Sequence, residues 1–230
     1  MIAMEIDETP IDEAPTADGD CAEPSAGDCA RARGRPRGFC REQALRKAMT
    51  LFWRHGYEGV SVSDLTRELC IAPPSLYAAF GSKDELYRLA VQQYLEDHGR
   101  KMMGALDGGP TVRAGIARML REAAVDFTAP GRPSGCMVSA GALAAGEAQR
   151  TAAAYMTAQR DSFIGVLEDR VSRARAAGEL APGADPRALA RLVMATLQGM
   201  SIQARDGAPA AELEALADAA MAAWPEGPRA

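Results

Sequence analysis

Apolar residues recur along this chain at the three-and-four spacing of a helix, and polar, Gly and Pro positions interrupt that rhythm at a few places. Leu45, Ala48, Met49 and Phe52 form the first stripe, within a helix over Arg41 to His55 that Gly56 closes. Trp53, Tyr57 and Val60 are placed to complete a small core with it. Val62, Leu65 and Leu69 share one face of a short second helix. Cys70-Ile71-Ala72 breaks the pattern, and Pro73-Pro74 opens a third helix, where missing N–H groups cost little because a first turn leaves them unpaired. Leu76 and Phe80, four apart, turn back onto the second helix. Pro73, Pro74, Ser75, Tyr77 and Ala78 are left facing outward. Gly81 stops this helix. Ser82 and Glu85 then have the spacing of a capping box. They open a helix with Leu86, Leu89, Ala90 and Tyr94 in its stripe, expected to run to about Leu106. A helix of roughly 20 residues spans about 30 Å, enough to leave the N-terminal unit. His98, Lys101, Met102 and Met103 fall in its far half, and Asp107-Gly108-Gly109-Pro110 ends it.

The second half continues the pattern. Thr111 to about Thr128 carries Val112, Ile116, Met119, Leu120, Ala123 and Phe127 on one broad face. A Pro- and Gly-rich loop leads to Gly135-Cys136-Met137-Val138 and a small-residue run from Ser139 to Gly146. Glu147 to about Ala177 reads as a long helix with Met156, Phe163, Ile164, Leu167 and Val171. Pro186 to Gln203 has a stripe of Leu189, Leu192, Val193, Thr196, Leu197 and Met200. Ala210 to Trp224 has Leu213, Leu216, Ala217, Ala220 and Trp224. Periodicity shows only that these last two helices are amphipathic, whether they cover a partner or the chain's own core. The expected fold is all-α in three parts: an acidic tail over 1–30, a helix-turn-helix unit with a basic arm over 31–81, and a helical C-terminal domain over 82–226.

Composition adds limits. A chain of 230 residues allows one or two domains. No apolar run is long enough to span a bilayer, and the N-terminus lacks the basic start and apolar core of a signal peptide. Five cysteines, odd in number and irregularly spaced, describe no disulfide framework and suit a reducing cytoplasm. The net charge of −5 is unevenly spread. Residues 1–30 hold nine acids and no Lys or Arg, whereas residues 31–101 hold thirteen bases against eight acids. The basic excess therefore coincides with the three short helices, as attraction to phosphate requires. The acidic tail cannot bury enough apolar surface to order itself. It reads either as a solubilising extension or as a segment competing with DNA for the basic patch. Arg31, Arg33, Arg35 and Arg37 alternate with Ala, Gly and Pro, which keep the arm extended. Such an arm enters a narrow minor groove or makes diffuse phosphate contacts.

The runs ALRKAMTLFWRHGYEGVS, SVSDLTRELCIA and SLYAAFGSKDEL together resemble the DNA-binding domain of the tetracycline-repressor (TetR) family of bacterial transcription regulators, over about Gly34 to Tyr94. Many members of the family begin with a Gly-Arg-Pro-Arg arm. The resemblance implies phosphate contacts at Ser61, Ser63, Tyr77 and Lys83, and base-facing positions at Pro73, Pro74 and Ser75. Tyr77 could instead be a packing residue. Two prolines stand where common members carry hydrogen-bonding residues and Gly, so bidentate reading of guanine is lost there; thymine-methyl contact and shape reading remain. Ala78 replaces a frequent His. The resemblance further implies a homodimer through the last two helices, a palindromic double-stranded operator, and a small-molecule effector in the C-terminal domain that releases the protein, a repressor, from its DNA.

The effector site is less legible. Met-lined cavities adapt to varied apolar ligands, and Met102, Met119, Phe127, Cys136, Met137, Tyr155, Met156 and Phe163 are the candidate lining residues. The same residues at helical spacing also serve as plain core. Cys136 reads as a helix-opening thiol able to sense oxidants or electrophiles, or as a small buried apolar residue. Two His and scattered Cys give no metal cluster. No cofactor motif, paired carboxylates or nucleophile–base arrangement is visible, so no enzyme is expected. A helical small-molecule binder or enzyme that does not use its DNA-binding-like domain is the alternative from another class.

Overall fold

The computed structural model describes residues 40–139 and 150–227. Within them α1 spans Arg41–His55, α2 Val62–Leu69, α3 Pro73–Phe80 and α4 Lys83–Tyr94. A single π-helical segment, Leu95–Gly99, carries α4 without a break into α5, Arg100–Asp107. Then follow α6, Val112–Phe127; α7, Arg150–Ala176; α8, Pro186–Arg205; and α9, Ala210–Ala222. Apart from an isolated antiparallel bridge between Leu180 and Glu226, all regular structure among the described residues is helical. The acidic tail, the Arg31–Arg37 arm and residues 140–146 of the small-residue run lie outside the described residues.

Local chemistry explains most boundaries. Ser61 caps α2 reciprocally with Asp64: the Asp64 N–H donates to Ser61 Oγ at 3.0 Å, and the Ser61 N–H donates back to Asp64 Oδ2 at 2.9 Å. Ser82 caps α4 by accepting from the Glu85 N–H at 3.1 Å, and Thr111 caps α6 through the Ala114 N–H at 3.1 Å. Pro186 occupies the first turn of α8 behind Asp185, whose side chain accepts from the Arg187 N–H at 3.0 Å.

The three short helices and α4 share a core of Ala44, Ala48, Phe52, Tyr57, Val60, Leu65, Leu76, Phe80, Leu86 and Tyr87, all buried. α1 packs mainly along α4 and so supports α2 and α3 from behind. Its polar side chains tie the motif down. Arg41 Nε donates to the Ala79 carbonyl at 3.2 Å, and Lys47 Nζ reaches the Glu68 carbonyl at 3.5 Å. Cys40, just before α1, and Cys70, in the turn between α2 and α3, are each disulfide-bonded. The odd number and irregular spacing of the five cysteines do not reveal this, because pairing depends on which sites meet in space.

In the C-terminal part α6 lies between α5 and α9, and α8 packs on both α7 and α9. The stripes of α8 and α9 build this chain's own core: Leu189, Val193, Leu197, Met200, Leu213, Ala217 and Trp224 are buried within the single chain. Of the residues assigned to a dimer face, Leu192, Thr196, Leu216 and Ala220 stay accessible, joined by exposed Ile202, which lies off the stripe. The most regular apolar rhythm marks the deepest face of a helix; an interface between copies would use its flank.

Candidate nucleic-acid interface and the cavity behind it

The α2–α3 unit presents one outward surface. Pro73, Pro74, Tyr77 and Ala78 are exposed on α3, with Tyr77 retaining 47% of its accessible area. Such exposure of a large ring is not what core packing would leave. Ser75 is half-buried, and its N–H donates to the Ala72 carbonyl at 2.9 Å. Leu76 and Phe80 are buried beneath, so the sequence reading of the two faces of α3 holds. Cys70 sets the angle between the helices. It sits in the left-handed region with φ 51° and ψ 44°, and the turn closes through the Cys70 N–H to the Arg67 carbonyl at 3.2 Å and the Ile71 N–H to the Thr66 carbonyl at 3.1 Å.

Three of the expected phosphate contacts lie at the edge of this surface, on more constrained groups than the sequence suggests. Ser63 is exposed on the first turn of α2. The Ser61 hydroxyl donates to Asp64 Oδ2 at 2.6 Å as well as capping the helix, so it is already engaged within the chain. These bonds from Ser61, with help from Arg67, hold the Asp64 carboxyl down at about 2. Lys83 lies over the Tyr57 ring with Nζ 4.1 Å from the centroid. Partial burial there lowers its pKa, and only in part do Asp84, Glu58 and Asp64 restore it. The Tyr57 hydroxyl donates to Asp84 in turn. Burial and then Asp84 push this phenol well up. The corner holding Lys83 is thus a stacked, charge-compensated assembly. Arg33, Arg35 and Arg37 lie outside the described residues.

Behind the motif, between α4–α5, α7 and α8, is a cavity of about 420 Å³, within the range usual for small-molecule sites. Its wall is mostly apolar. Met102, Met103 and Phe163 contribute from α5 and α7, Met194 and Leu197 from α8, and Cys136 and Val138 from the loop after α6. Of the eight candidate lining residues, Met102, Cys136 and Phe163 are in this wall. Met119, Phe127, Met137 and Met156 are buried in the core instead, and Tyr155 packs under Arg88 with 5.6 Å between Cζ and the ring centroid. The polar and charged side chains of the lining are Glu96, His98, Arg100, Asp126, Ser139, Gln159 and Arg160. Residues 137–139 form a turn, so the described structure does not place Cys136 at a helix start. Its thiol is buried, its N–H donates to Ser201 Oγ at 2.7 Å, and the Ser139 N–H approaches its Sγ at 3.4 Å. Burial, then the neighbouring Cys136, drive the Tyr94 phenol far up.

One residue joins the two regions. Trp53, near the end of α1, is buried and donates from Nε1 to the Gly135 carbonyl at 3.1 Å. Arg205 of α8 donates to the Trp53 carbonyl at 2.8 Å. The ring stands edge-on to Tyr94 and to His98, with centroids 4.9 and 5.0 Å away, and Arg132 lies over it at 5.7 Å. Arg132 also reaches His98 Nδ1 at 2.9 Å and Asp126 Oδ1 at 2.6 Å. Burial raises the pKa of Asp126, but the bonds from His98 and Arg132 outweigh it and hold the carboxyl below its ordinary value. The π segment carries His98 into this cluster from the middle of the long helix. Sequence reasoning misses the cluster because it joins Trp53 to Gly135 and Arg205, 82 and 152 residues away, and His98 to Arg132, 34 residues away. The π segment has no composition signature that could mark it. Among the described residues no group of three His, Cys, Asp or Glu side chains could hold a metal ion, and no helix is long and apolar enough to cross a membrane.

Comparison with known proteins bears on both surfaces. Residues 44–90, the helix-turn-helix unit with its supports, match the model of bacterial regulatory proteins of the tetR family. The chain is 32% identical over 197 residues to the HTH-type transcriptional repressor ComR of Escherichia coli K12, covering 85% of this chain and 94% of that protein. It is 40% identical over 111 residues to the repressor BdcR of the same organism, covering 48% of this chain and 56% of that one. A solved structure of the TetR family transcriptional regulator CifR, a cysteine mutant bound to 26-base-pair operator DNA, is 42% identical and covers 84% of this chain and all of that one, with a TM-score of 0.80.

Proposed function

This chain belongs to the tetR family of bacterial regulatory proteins and is a DNA-binding transcriptional regulator, and we infer that it represses by gripping a palindromic operator as a homodimer until a small apolar molecule fills the cavity behind Trp53. Pro73, Pro74, Ser75 and Tyr77 face the bases and nearest phosphates, Ser63 and Lys83 flank them, and the arm with Arg33, Arg35 and Arg37 adds affinity. Two recognition helices would sit roughly 34–36 Å apart, one turn of DNA. The chain acts in the cytoplasm, where its DNA is.

The observation that carries the reading is Trp53. It is the side chain through which the cavity wall and the base of the DNA-reading unit share hydrogen bonds. A ligand seated against His98, Cys136 and Val138 presses on the Gly135 loop and on the π segment. Both touch Trp53, and α1 carries α2 and α3. The ligand thereby favours a head spacing that fits one half-site but not two, by no more than its differential affinity for the two arrangements.

The test is binding of the purified chain to its own upstream DNA against a scrambled duplex across a salt series. Selective binding is expected, with log K falling by about 0.9 per log unit of salt for each phosphate contact. Equal, weak binding to both duplexes and to fragments selected genome-wide would remove the reading and favour a ligand binder that does not use DNA. A second reading has an observation of its own: Cys136 is the thiol in the cavity wall, so an electrophilic or oxidising effector would be captured there. Unchanged release by such compounds in a Cys136→Ser variant would exclude it.

A further inference from the structure

The cavity behind Trp53 is apolar over most of its wall, so the groups in it that can form a directional bond decide what it accepts. Glu96 and Arg100 are exposed and opposite in charge. The Tyr94 phenol is buried and engaged with Cys136 and the Met137 backbone. Arg160 donates to the Val138 carbonyl and to Thr157 Oγ1, each at 3.1 Å. Asp126 is held by Arg132 at 2.6 Å. Ser139 and Gln159 carry groups that can donate or accept, and so impose no preference. His98 does impose one. We propose that His98 Nε2–H is the recognition donor of this cavity, and that the effector is a neutral molecule carrying an acceptor oxygen, as in a ketone or an ester, on an apolar body. The inference rests on the effector reading above.

The direction of the bond follows from the other edge of the ring. His98 Nδ1 lies 2.9 Å from Arg132 Nη1 and 3.4 Å from Asp126 Oδ2. A guanidinium only donates. In the neutral imidazole Nδ1 therefore accepts from Arg132, and the proton stays on Nε2. In the protonated imidazole Nδ1–H turns to Asp126, and Nε2 keeps its hydrogen all the same. A neutral ring with hydrogen on Nδ1 alone would set that hydrogen against an Arg132 N–H, which disfavours it. Nε2 is thus a donor in both remaining states. It has no hydrogen bond among the described residues, and it is not sealed from the cavity that His98 lines. The ring is also fixed in place. Tyr94 stacks on it with 4.8 Å between centroids, and it meets Trp53 edge-on at 5.0 Å.

Charge selects a neutral acceptor over an anionic one. The Asp126 carboxylate borders the same wall and is held ionised by its neighbours. The guanidinium groups of Arg132 and Arg160 already donate to protein oxygens. An anion seated at His98 would leave water without gaining a buried cation that is not already bonded. A neutral carbonyl loses less on leaving water, and one N–H donor compensates it. A hydrocarbon of the same shape loses nothing and gains nothing at His98. Without the donor the hydrocarbon therefore binds tighter; with it, the carbonyl compound does. The same bond bears on release, because His98 belongs to the π-helical segment and touches Trp53. The polar end of the ligand thus meets the junction with the DNA-reading unit.

The test titrates the full chain by calorimetry with acetophenone, ethylbenzene and benzoate, and with benzophenone and diphenylmethane as a larger pair. In each ketone–hydrocarbon pair a carbonyl replaces a methylene. Each ketone should bind about fivefold tighter or more than its hydrocarbon, as one ordinary hydrogen bond gives, and benzoate should bind more weakly than acetophenone. His98→Phe keeps a ring beside Tyr94 and Trp53 but removes the donor. The ratio of ketone to hydrocarbon affinity should reverse in it, and any general change in the cavity cancels in that ratio. A second measurement leaves the cavity untouched. His55→Gln makes His98 the one imidazole of the chain; its long-range nitrogen NMR spectrum should show hydrogen on Nε2 and a shift of that nitrogen when acetophenone is added. If His98→Phe does not fold, the matched pairs and this spectrum decide. Hydrocarbons that bind as tightly as their ketones, benzoate that binds tighter than acetophenone, a ketone preference that survives in folded His98→Phe, or hydrogen on Nδ1 alone overturns the proposal. In those cases the cavity still binds, and the effector reading stands. If none of the compounds binds, the proposal and the effector cavity fall together.

Discussion

Trp53 and Asp126 show how single side chains decide this molecule's behaviour. Trp53→Phe keeps a ring in the cluster but leaves the Gly135 carbonyl without its donor. The expected cost is about 1–2 kcal/mol in denaturant unfolding. Ligand-free operator affinity should change little, and effector-driven release should weaken. Full release in the variant would show that coupling runs elsewhere. Asp126 carries a pH signature. Its folded pKa is lowered, so its stabilising effect is complete above the unfolded value near 4 and is lost as pH falls through the lowered folded value. The difference in thermal midpoint between the chain and Asp126→Asn should therefore be largest at neutral pH and vanish on acidification; a difference that grew toward acid would contradict this. Sequence reasoning places Trp53 correctly as apolar core but misses its role, because its partner Gly135 lies 82 residues away. It reads Ser61 as a phosphate contact and does not show that the same hydroxyl caps its own helix with Asp64, which only the geometry reveals.

Among the elements, α2 is the most exposed to a single change. It has eight residues, too few to persist alone, and depends on its reciprocal cap and on Leu65 and Leu69. Ser61→Ala should cost about 1 kcal/mol of stability. If the cap is its whole contribution, operator affinity should fall only as far as α2 frays, and Ser61→Asp, which also caps, should restore stability. Helix existence and order are legible throughout, since periodicity and punctuation by Gly and Pro are local properties. The α4–α5 helix is expected from sequence to reach Leu106, and the helical run ends at Asp107. Its π segment is not visible in the sequence, because one extra residue in a turn leaves the apolar stripe readable on both sides. The α8 and α9 stripes are legible as stripes but not as to what they face.

Along the sequence the basic excess falls in residues 31–101, while the accessible apolar residues of α8, Leu192 and Ile202, are 40% and 46% exposed toward the other end of the chain. A homodimer joined through α8 and α9 must use such flank residues. Ile202→Glu should leave the thermal unfolding of the monomer within about 0.5 kcal/mol and shift the chain toward monomer in sedimentation. It should also lower operator affinity by removing the second half-site. A variant that stays dimeric would move the interface to another face. The chain has two tryptophans, Trp53 at the junction and Trp224 beyond α9, both buried. Replacing Trp224 by Phe would leave a single tryptophan, excited selectively at the red edge of its absorption, ringed by His98, Tyr94 and Arg132. Its emission would then serve as an optical gauge of the junction, letting occupancy of the cavity be followed in a cuvette without label or DNA, whatever the chemistry of the ligand.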